Sequence, residues 1–324
     1  MAYMRYYRSL LNEKEKKAYD ALICGIAKRE DKISVDKISK DELERVHKAV
    51  NFDYPDFFYV NFYQYAYTMY FRRTEIQIKY TMDAFEAKRI KKEIDKIAEE
   101  IVARARGLSE LETEKFLNDE LRKIAVYDRN PLNTFNAQNL IGTFIDGKCV
   151  CEGFAKSFKY LADMLQLKSI IVVGNGGLSS DNGPHAWNIV KIDGESYHLD
   201  VTYNQVIKNP LTGNIKYFSR AYFNLSDKEI LRDHTIDPLF KVPSCRKSRS
   251  EVSIISSTSE LIDHLRNESS QSKQYTEMRF TKHFKDINEI TRMIEKSITL
   301  RDYKWYGKIK TFTSSNYSII IEWR

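Results

Sequence analysis

Three side chains that could act as nucleophile, base and base-orienter fall close together in this sequence: Cys151, His185 and Asp200. Cys151 opens a segment with helical periodicity, in which Phe154, Phe158, Leu161 and Leu165 share one face. A helix start holds unpaired N–H groups and partial positive charge, the setting in which a thiol becomes a usable nucleophile. Gly147 and Gly153 flank the cysteine and allow close backbone approach. The competing reading is a buried structural cysteine, which a lone free cysteine usually is.

The base comes from a hairpin. Residues 185–192 and 195–202 flank Asp193-Gly194, a two-residue turn signal. With that turn Ile192 faces Glu195, Trp187 faces Asp200 and His185 faces Thr202. Residues two apart on a strand share a face, so His185 and Asp200 become diagonal neighbours on one face. A carboxylate on one ring nitrogen fixes the tautomer and leaves the other nitrogen for the thiol. A one-residue bulge would break this parity. Alone, His185 would read as a satisfied loop histidine and Asp200 as a turn or cap residue.

The motifs around these residues are Gly147-Lys-Cys-Val-Cys-Glu-Gly-Phe-Ala-Lys156, His185-Ala-Trp-Asn188 and His198-Leu-Asp-Val-Thr-Tyr203. Together they closely resemble the three motifs of bacterial transglutaminase-core proteins, over about residues 137–205. The resemblance implies that Cys151, not Cys149, is the nucleophile, with His185 and Asp200 completing a triad. It also implies a papain-like core, a central cysteine helix packed on an antiparallel sheet. Phe154 and Tyr203 stand where that family more usually has Tyr and Trp. The segment Tyr6–Tyr80, with Asp53-Tyr-Pro-Asp56, resembles the region preceding this core in many Firmicutes members.

The chemistry implied is acyl transfer through a Cys151 thioester on protein glutamine or amide groups, giving crosslinking, amine incorporation or deamidation. The same triad would serve a cysteine protease or amidase, and an inert triad would leave a binding or scaffold protein. The partner expected is a protein or peptide substrate. Gln138 is a candidate oxyanion donor, although the backbone N–H of Cys151 is better placed. Trp187 is a candidate substrate contact that reads better as a wall over the dyad, and His198 reads as structural. Cys149, Cys151 and His185 could in principle hold a metal, but there is no Cys-x2-Cys pair and no evident fourth ligand. No metal, calcium included, and no cofactor is expected.

These residues need elements to hold them, and the whole chain reads as α+β. Helices are expected over 12–30, 40–50, 82–106 and from Ser109, whose pairing with Glu112 is a capping box. Phe85, Ile90, Ile94, Ile97 and Ile101 should form the buried stripe of the long helix. The aromatic-rich segment 54–80 is expected to be sheet. A short helix over Leu140–Ile145, a strand over Ile170–Val173 and a Gly-, Asn- and Ser-rich loop over Gly174–Pro184 surround the cysteine helix. Ser226 and Glu229 cap a further short helix. The expected organisation is an N-terminal α/β region over 1–108, a catalytic core over 109–240, a linker over 241–250 and a small α+β domain over 251–324. That last part should run strand, helix, strand, helix, strand, strand.

The chain has 324 residues with 52 basic and 45 acidic side chains, a net charge of +7. The charges are interleaved rather than gathered in a basic stripe, so nucleic acid is not an expected partner. Four irregularly spaced cysteines do not make a disulfide framework and suit a reducing compartment. No stretch approaches the roughly 18 apolar residues of a membrane span, and Met1–Asn12 lacks the apolar core of a signal peptide. The sequence as written is therefore expected to be cytoplasmic, or secreted or surface-bound if a leader has been removed.

Overall fold

Helix starts are encoded locally. Asn12, Ser39 and Ser109 each accept the backbone N–H three residues on, and Glu15, Glu42 and Glu112 return a bond to the cap. These capping boxes satisfy donors that a first turn leaves unpaired. They open the helices Glu13–Ala27, Lys40–Asp53 and Glu110–Ile124. Asp83 caps the long helix Ala84–Ala105 through its side chain. Its buried stripe is Ala87, Ile90, Ile94, Ala98 and Ile101. Phe85, expected in that stripe, is instead 80% exposed. Two residues before Ala87, it sits about 200° around the helix, on the solvent side.

The structure, a computed structural model, describes residues 5–177, 183–209, 211–271, 273–280, 292, 309–314 and 318–323. Among these the fold is mixed α+β. Its central sheet is antiparallel, in the order His234–Ile236, Ser169–Gly176, Gly183–Ile192, Glu195–Leu199. The strand expected over Ile170–Val173 runs on to Gly176, and its partner already begins at Gly183. The loop expected between them therefore shrinks, and residues 178–182 lie outside the described residues. The cysteine helix, Cys151–Met164, lies across this sheet. Asn188 ties the two together, its side-chain amide donating to the carbonyls of Ala155 at 3.0 Å and Ile170 at 3.2 Å.

The hairpin turn is the two-residue one. Asp193 and Gly194 have φ of 50° and 88°, the left-handed pair that such a turn requires. The ladder runs from Ile192 opposite Glu195 to Asn188 opposite Leu199, and Asp200 follows directly.

A second sheet joins Lys32–Asp36, Arg73–Gln77 and Ala66–Met69. The aromatic segment 54–80 is thus strand only in part. Much of the rest is turn, because its rings pack on one another instead of on a sheet face. Tyr54 stacks on Phe57 at 5.0 Å and Tyr65 stacks on His47 at 3.7 Å.

The apolar cores cross the expected boundaries. One runs from Tyr7, Leu22, Val46 and Ile76 through Ile171 and Trp187 to Phe240 and Cys245. Another joins Ile94 and Ile101 of the long helix to Phe154 and Phe158 of the cysteine helix. Residues 241–250 have no helix or strand, yet Cys245 is fully buried and its N–H bonds to Asp227 at 3.0 Å. The C-terminal part has its own core, with Leu261, Leu265, Met278, Ile319 and Ile321. Its sheet runs in the order Ser253–Ile255, Tyr275–Phe280, Ser318–Trp323, Ile309–Ser314, with the helix Thr258–Ser269 between the first two strands in sequence. The second helix expected there lies outside the described residues. Among the described residues no helix is long and apolar enough to cross a membrane.

Candidate active site

Cys151 is the first residue of its helix, and the preceding Val150 has no side chain that could cap the free N–H groups. Those donors remain available beside the sulfur. The first turn is clamped through Glu152, from within the helix and from outside it. Glu152 takes Lys156 at 2.9 Å on one oxygen and the Tyr63 hydroxyl at 2.6 Å on the other. Gly153 is required by crowding, since a Cβ there would lie 2.4 Å from the Ala137 carbonyl oxygen.

The two neighbouring cysteines differ by environment. Cys149 is fully buried, and burial pushes its thiol up to about 12. Cys151 is half-buried and lines a cleft of about 840 Å³. His185 and Gln138 line the same cleft, as do His47 and Asn51 from the helix Lys40–Asp53.

His185 is 8% exposed, and its Nε2 lies 2.7 Å from Asp200 Oδ2. That contact leaves Nδ1 as the nitrogen available to the thiol. Burial pulls the imidazolium down, but the charge and hydrogen bond of Asp200, with a further contribution from Cys151, carry it up to about 10. Tyr203 stacks on the imidazole at 4.9 Å. The ring occupies space that a side chain at Gly176 would take, since a Cβ there would lie 2.7 Å from His185 Cδ2.

Asp200 is fully buried. Its Oδ1 accepts the backbone N–H groups of Thr202 at 2.9 Å and Tyr203 at 3.2 Å. Its Oδ2 serves His185 and also His234, whose Nε2 is 3.1 Å away. Burial alone would push this carboxyl up, but the two imidazoles outweigh it and hold Asp200 far below the usual carboxylate range.

The structure thus brings Cys151, His185 and Asp200 together and puts Gln138 in their cleft. Trp187 does not line that cleft. It is 1% exposed, and its indole N–H donates to His198 Nδ1 at 3.0 Å. Because Nδ1 accepts, His198 is a neutral imidazole whose Nε2–H donates to Asp227 at 2.9 Å. Burial likewise holds His198 below its ordinary value.

The sequence reasoning missed His234, with Asp233 and Tyr222 behind it. His234 lies on the three-residue edge strand, and its placement depends on pairing with Gly176. The adjacent Asp233-His234 pair was the only local signal. It also missed the Glu152 clamp, whose Tyr63 contact joins residues far apart in sequence, although its Lys156 contact is a local pair four residues apart.

Among the described residues two trios of metal-ligand type, His185–Asp200–His234 and His198–Asp227–Cys245, each gather their ligand atoms within 4.8 Å. In both, the ring nitrogens already hydrogen-bond carboxylate oxygens. The trio weighed from sequence, Cys149, Cys151 and His185, is not among them.

A cysteine at a helix start thus shares its cleft with an imidazole that a buried carboxylate of the antiparallel sheet holds. No family model matches the sequence, and no curated protein matches it. Among solved structures the chain is similar to a crystal structure of a TGase, at 14% identity and TM-score 0.33, covering 68% of this chain and 56% of that one. It is also similar to a candidate cysteine protease from Cytophaga hutchinsonii, at 13% identity and TM-score 0.29, covering 47% of this chain and 65% of that one. A third is the periplasmic domain of TgpA from Pseudomonas aeruginosa, at 13% identity and TM-score 0.27, covering 41% and 54%. The chain spans between about half and two thirds of the length of these structures. The likeness is thus to transglutaminase-like and cysteine-protease-like structures, and at these scores the reading of the site rests on its own geometry.

Proposed function

We propose that this protein is a transglutaminase-like, papain-like enzyme that performs acyl transfer through a thioester on Cys151, with protein glutamine or amide groups as donors. The observation that carries the reading is the 2.7 Å contact between His185 and the buried Asp200, beside a cysteine at an uncapped helix start in an open cleft.

The chemistry follows from the order of the three groups. Transfer of the Cys151 proton to His185 Nδ1 gives a thiolate beside an imidazolium, and the buried Asp200 carboxylate at 2.7 Å stabilises that charge. The thiolate attacks the carboxamide carbon, and N–H groups of the helix start, with Gln138 as a candidate partner, take the developing oxyanion. Collapse breaks the C–N bond as His185 Nδ1 gives its proton to the leaving amine or ammonia. A thioester remains, with His185 now neutral. A primary amine then attacks the thioester, His185 takes its proton, and the sulfur leaves as thiolate. Water can take the same place, giving deamidation or cleavage.

The test is incorporation of a fluorescent primary amine into a glutamine-bearing protein, with wild type beside Cys151→Ala. Incorporation that disappears in the variant supports the reading. Release of ammonia or chain cleavage without amine incorporation moves the assignment to a hydrolase with the same triad. Equal activity, or none, in both proteins overturns it.

A further inference from the structure

Asp200 Oδ2 is approached by two imidazoles, not one. His234 Nε2 lies 3.1 Å from it, and His234 Nδ1 lies 2.7 Å from Asp233 Oδ1. Both histidine and aspartate side chains of the His234–Asp233 and His234–Asp200 pairs are completely inaccessible. Asp200 has acceptor-only duties: two backbone N–H groups on one oxygen and His185 on the other. Asp233 has a similar duty, because its other oxygen accepts the Tyr222 hydroxyl. A carboxylate that only accepts must be met by a donor, so both His234 nitrogens carry hydrogen.

We infer that His234, a doubly protonated imidazolium bridging Asp200 and Asp233, is a positioning residue of this site that divides the hold of Asp200 between two histidines. The inference rests on the Cys151 acyl-transfer reading for its consequence, but not for the bridge itself. His234 does not line the cleft, so it acts through Asp200.

Its surroundings are closed. His185 and Tyr203 pack edge-on to its ring, each with centroids 5.3 Å apart, and Trp187 does the same at 4.9 Å. Tyr222 covers it at 5.8 Å. The charged or titratable groups that face it are thus His185, Asp200, Tyr203, Tyr222 and Asp233, and the charge of His234 also reaches His198. Burial opposes the charge on His234, but the two carboxylates outweigh it and raise its proton affinity.

The consequence concerns the proton on His185. With one imidazole on Asp200, the carboxylate's charge would hold that proton strongly. A second cation on the same oxygen weakens the hold, and a donor that grips its proton less tightly protonates the leaving amine faster. His234 also fixes Oδ2 in place, keeping the His185 ring aimed at Cys151.

Two measurements on the full chain test this. The first is the ring 15N spectrum at pH 8, assigned by comparison with His234→Gln. The expected result is that both His234 nitrogens are protonated while His47 and His198 are neutral, and that His185 loses its proton at a higher pH in the variant. A singly protonated His234 overturns the inference, whatever the enzyme's activity proves to be. The second compares amine incorporation with iodoacetamide alkylation of Cys151 at pH 7, in His234→Gln and in the milder Asp233→Asn. Alkylation needs no proton donor, whereas acylation does. The expected result is a loss of about tenfold in kcat with KM little changed, while alkylation stays within about twofold. Unchanged kcat, or alkylation falling in step with kcat, overturns the positioning role. Asp233→Asn keeps an acceptor for Nδ1 and serves if His234→Gln does not fold. A wild type that alkylates readily but transfers no acyl group overturns the acyl-transfer reading, and the spectrum still decides the bridge.

Discussion

Gly176 and His185 set a tight tolerance at the imidazole. They occupy adjacent antiparallel strands, and a methyl group on Gly176 would press into the imidazole at 2.7–2.8 Å. The ring would have to move away from Cys151 or Asp200. A shift of about 1 Å in a reacting group can cost on the order of 100-fold in rate. Gly176→Ala is therefore expected to lower amine incorporation by about 100-fold while costing only about 1–3 kcal/mol of stability, measured by turnover beside urea unfolding. An active site insensitive to this change would mean that His185 is not held where the hairpin puts it. The same pair of residues links pH to stability. His185 is raised to about 10, so its contribution is complete below the ordinary value of about 6.5 and is lost as pH climbs through 10. Asp200 is depressed, so its contribution is complete above about 3.9 and is lost as pH falls. Stability from the pair should peak between these ordinary values. Urea unfolding across a pH series is expected to show both limbs in wild type and to be flatter in Asp200→Asn.

At the scale of elements, Trp187 shows how a motif residue can act away from the chemistry. Its indole N–H meets His198, whose other nitrogen meets Asp227, and Asp227 in turn holds the backbone of Cys245. That chain of bonds pins the central hairpin to the segment over 241–250. Trp187→Phe would leave His198 Nδ1 buried without a donor, at about 1–3 kcal/mol. The expected outcome is a lower unfolding midpoint with Cys151 alkylation near the wild-type rate. Loss of alkylation at unchanged stability would instead give Trp187 a part in the site. Much of this level was legible in the sequence. The Asp193-Gly194 turn fixes the hairpin register, and the capping boxes at Asn12, Ser39 and Ser109 fix helix starts, because each depends on residues within four positions of one another. His234 was not legible, because its role depends on an edge strand pairing with Gly176, far away along the chain. The aromatic segment 54–80 misled for a related reason. Strand propensity in aromatic residues reflects packing on a half-buried surface, and here turns supply that surface as well as strands do.

Across the whole molecule, the site and the N-terminal part are one construction. Ile170, Ile171, Val172 and Ile189 of the central sheet share a core with Leu22, Val46 and Ile76, and the helix Lys40–Asp53 gives His47 and Asn51 to the cleft wall. Burial pushes His47 down to about 3, so its imidazole stays uncharged at neutral pH, between Glu44 and Lys48 of the same wall. The C-terminal part has a different relation to the rest. It has a separate core, and its contacts with the remainder include polar ones, such as Glu277 accepting the Ser219 hydroxyl at 2.6 Å and the Arg220 N–H at 2.7 Å. Two truncations should therefore behave differently. Removing residues 1–81 strips the central sheet of one apolar cover, exposing side chains worth about 1.5–3 kcal/mol each, more together than a domain's usual margin. That protein is expected to lose cooperative unfolding. Removing residues 251–324 leaves the two large cores whole, at the cost of unpaired partners around Ser219 and Arg220. It is expected to unfold cooperatively at a somewhat lower midpoint and to be alkylated at Cys151 at the full-length rate. If the shorter chain instead loses alkylation while still folding, the C-terminal part acts on the site through Arg220 and the turn after Asp200, whose N–H bonds to Tyr222. Circular dichroism melts of both truncations, followed by alkylation of whichever folds, decide between these arrangements.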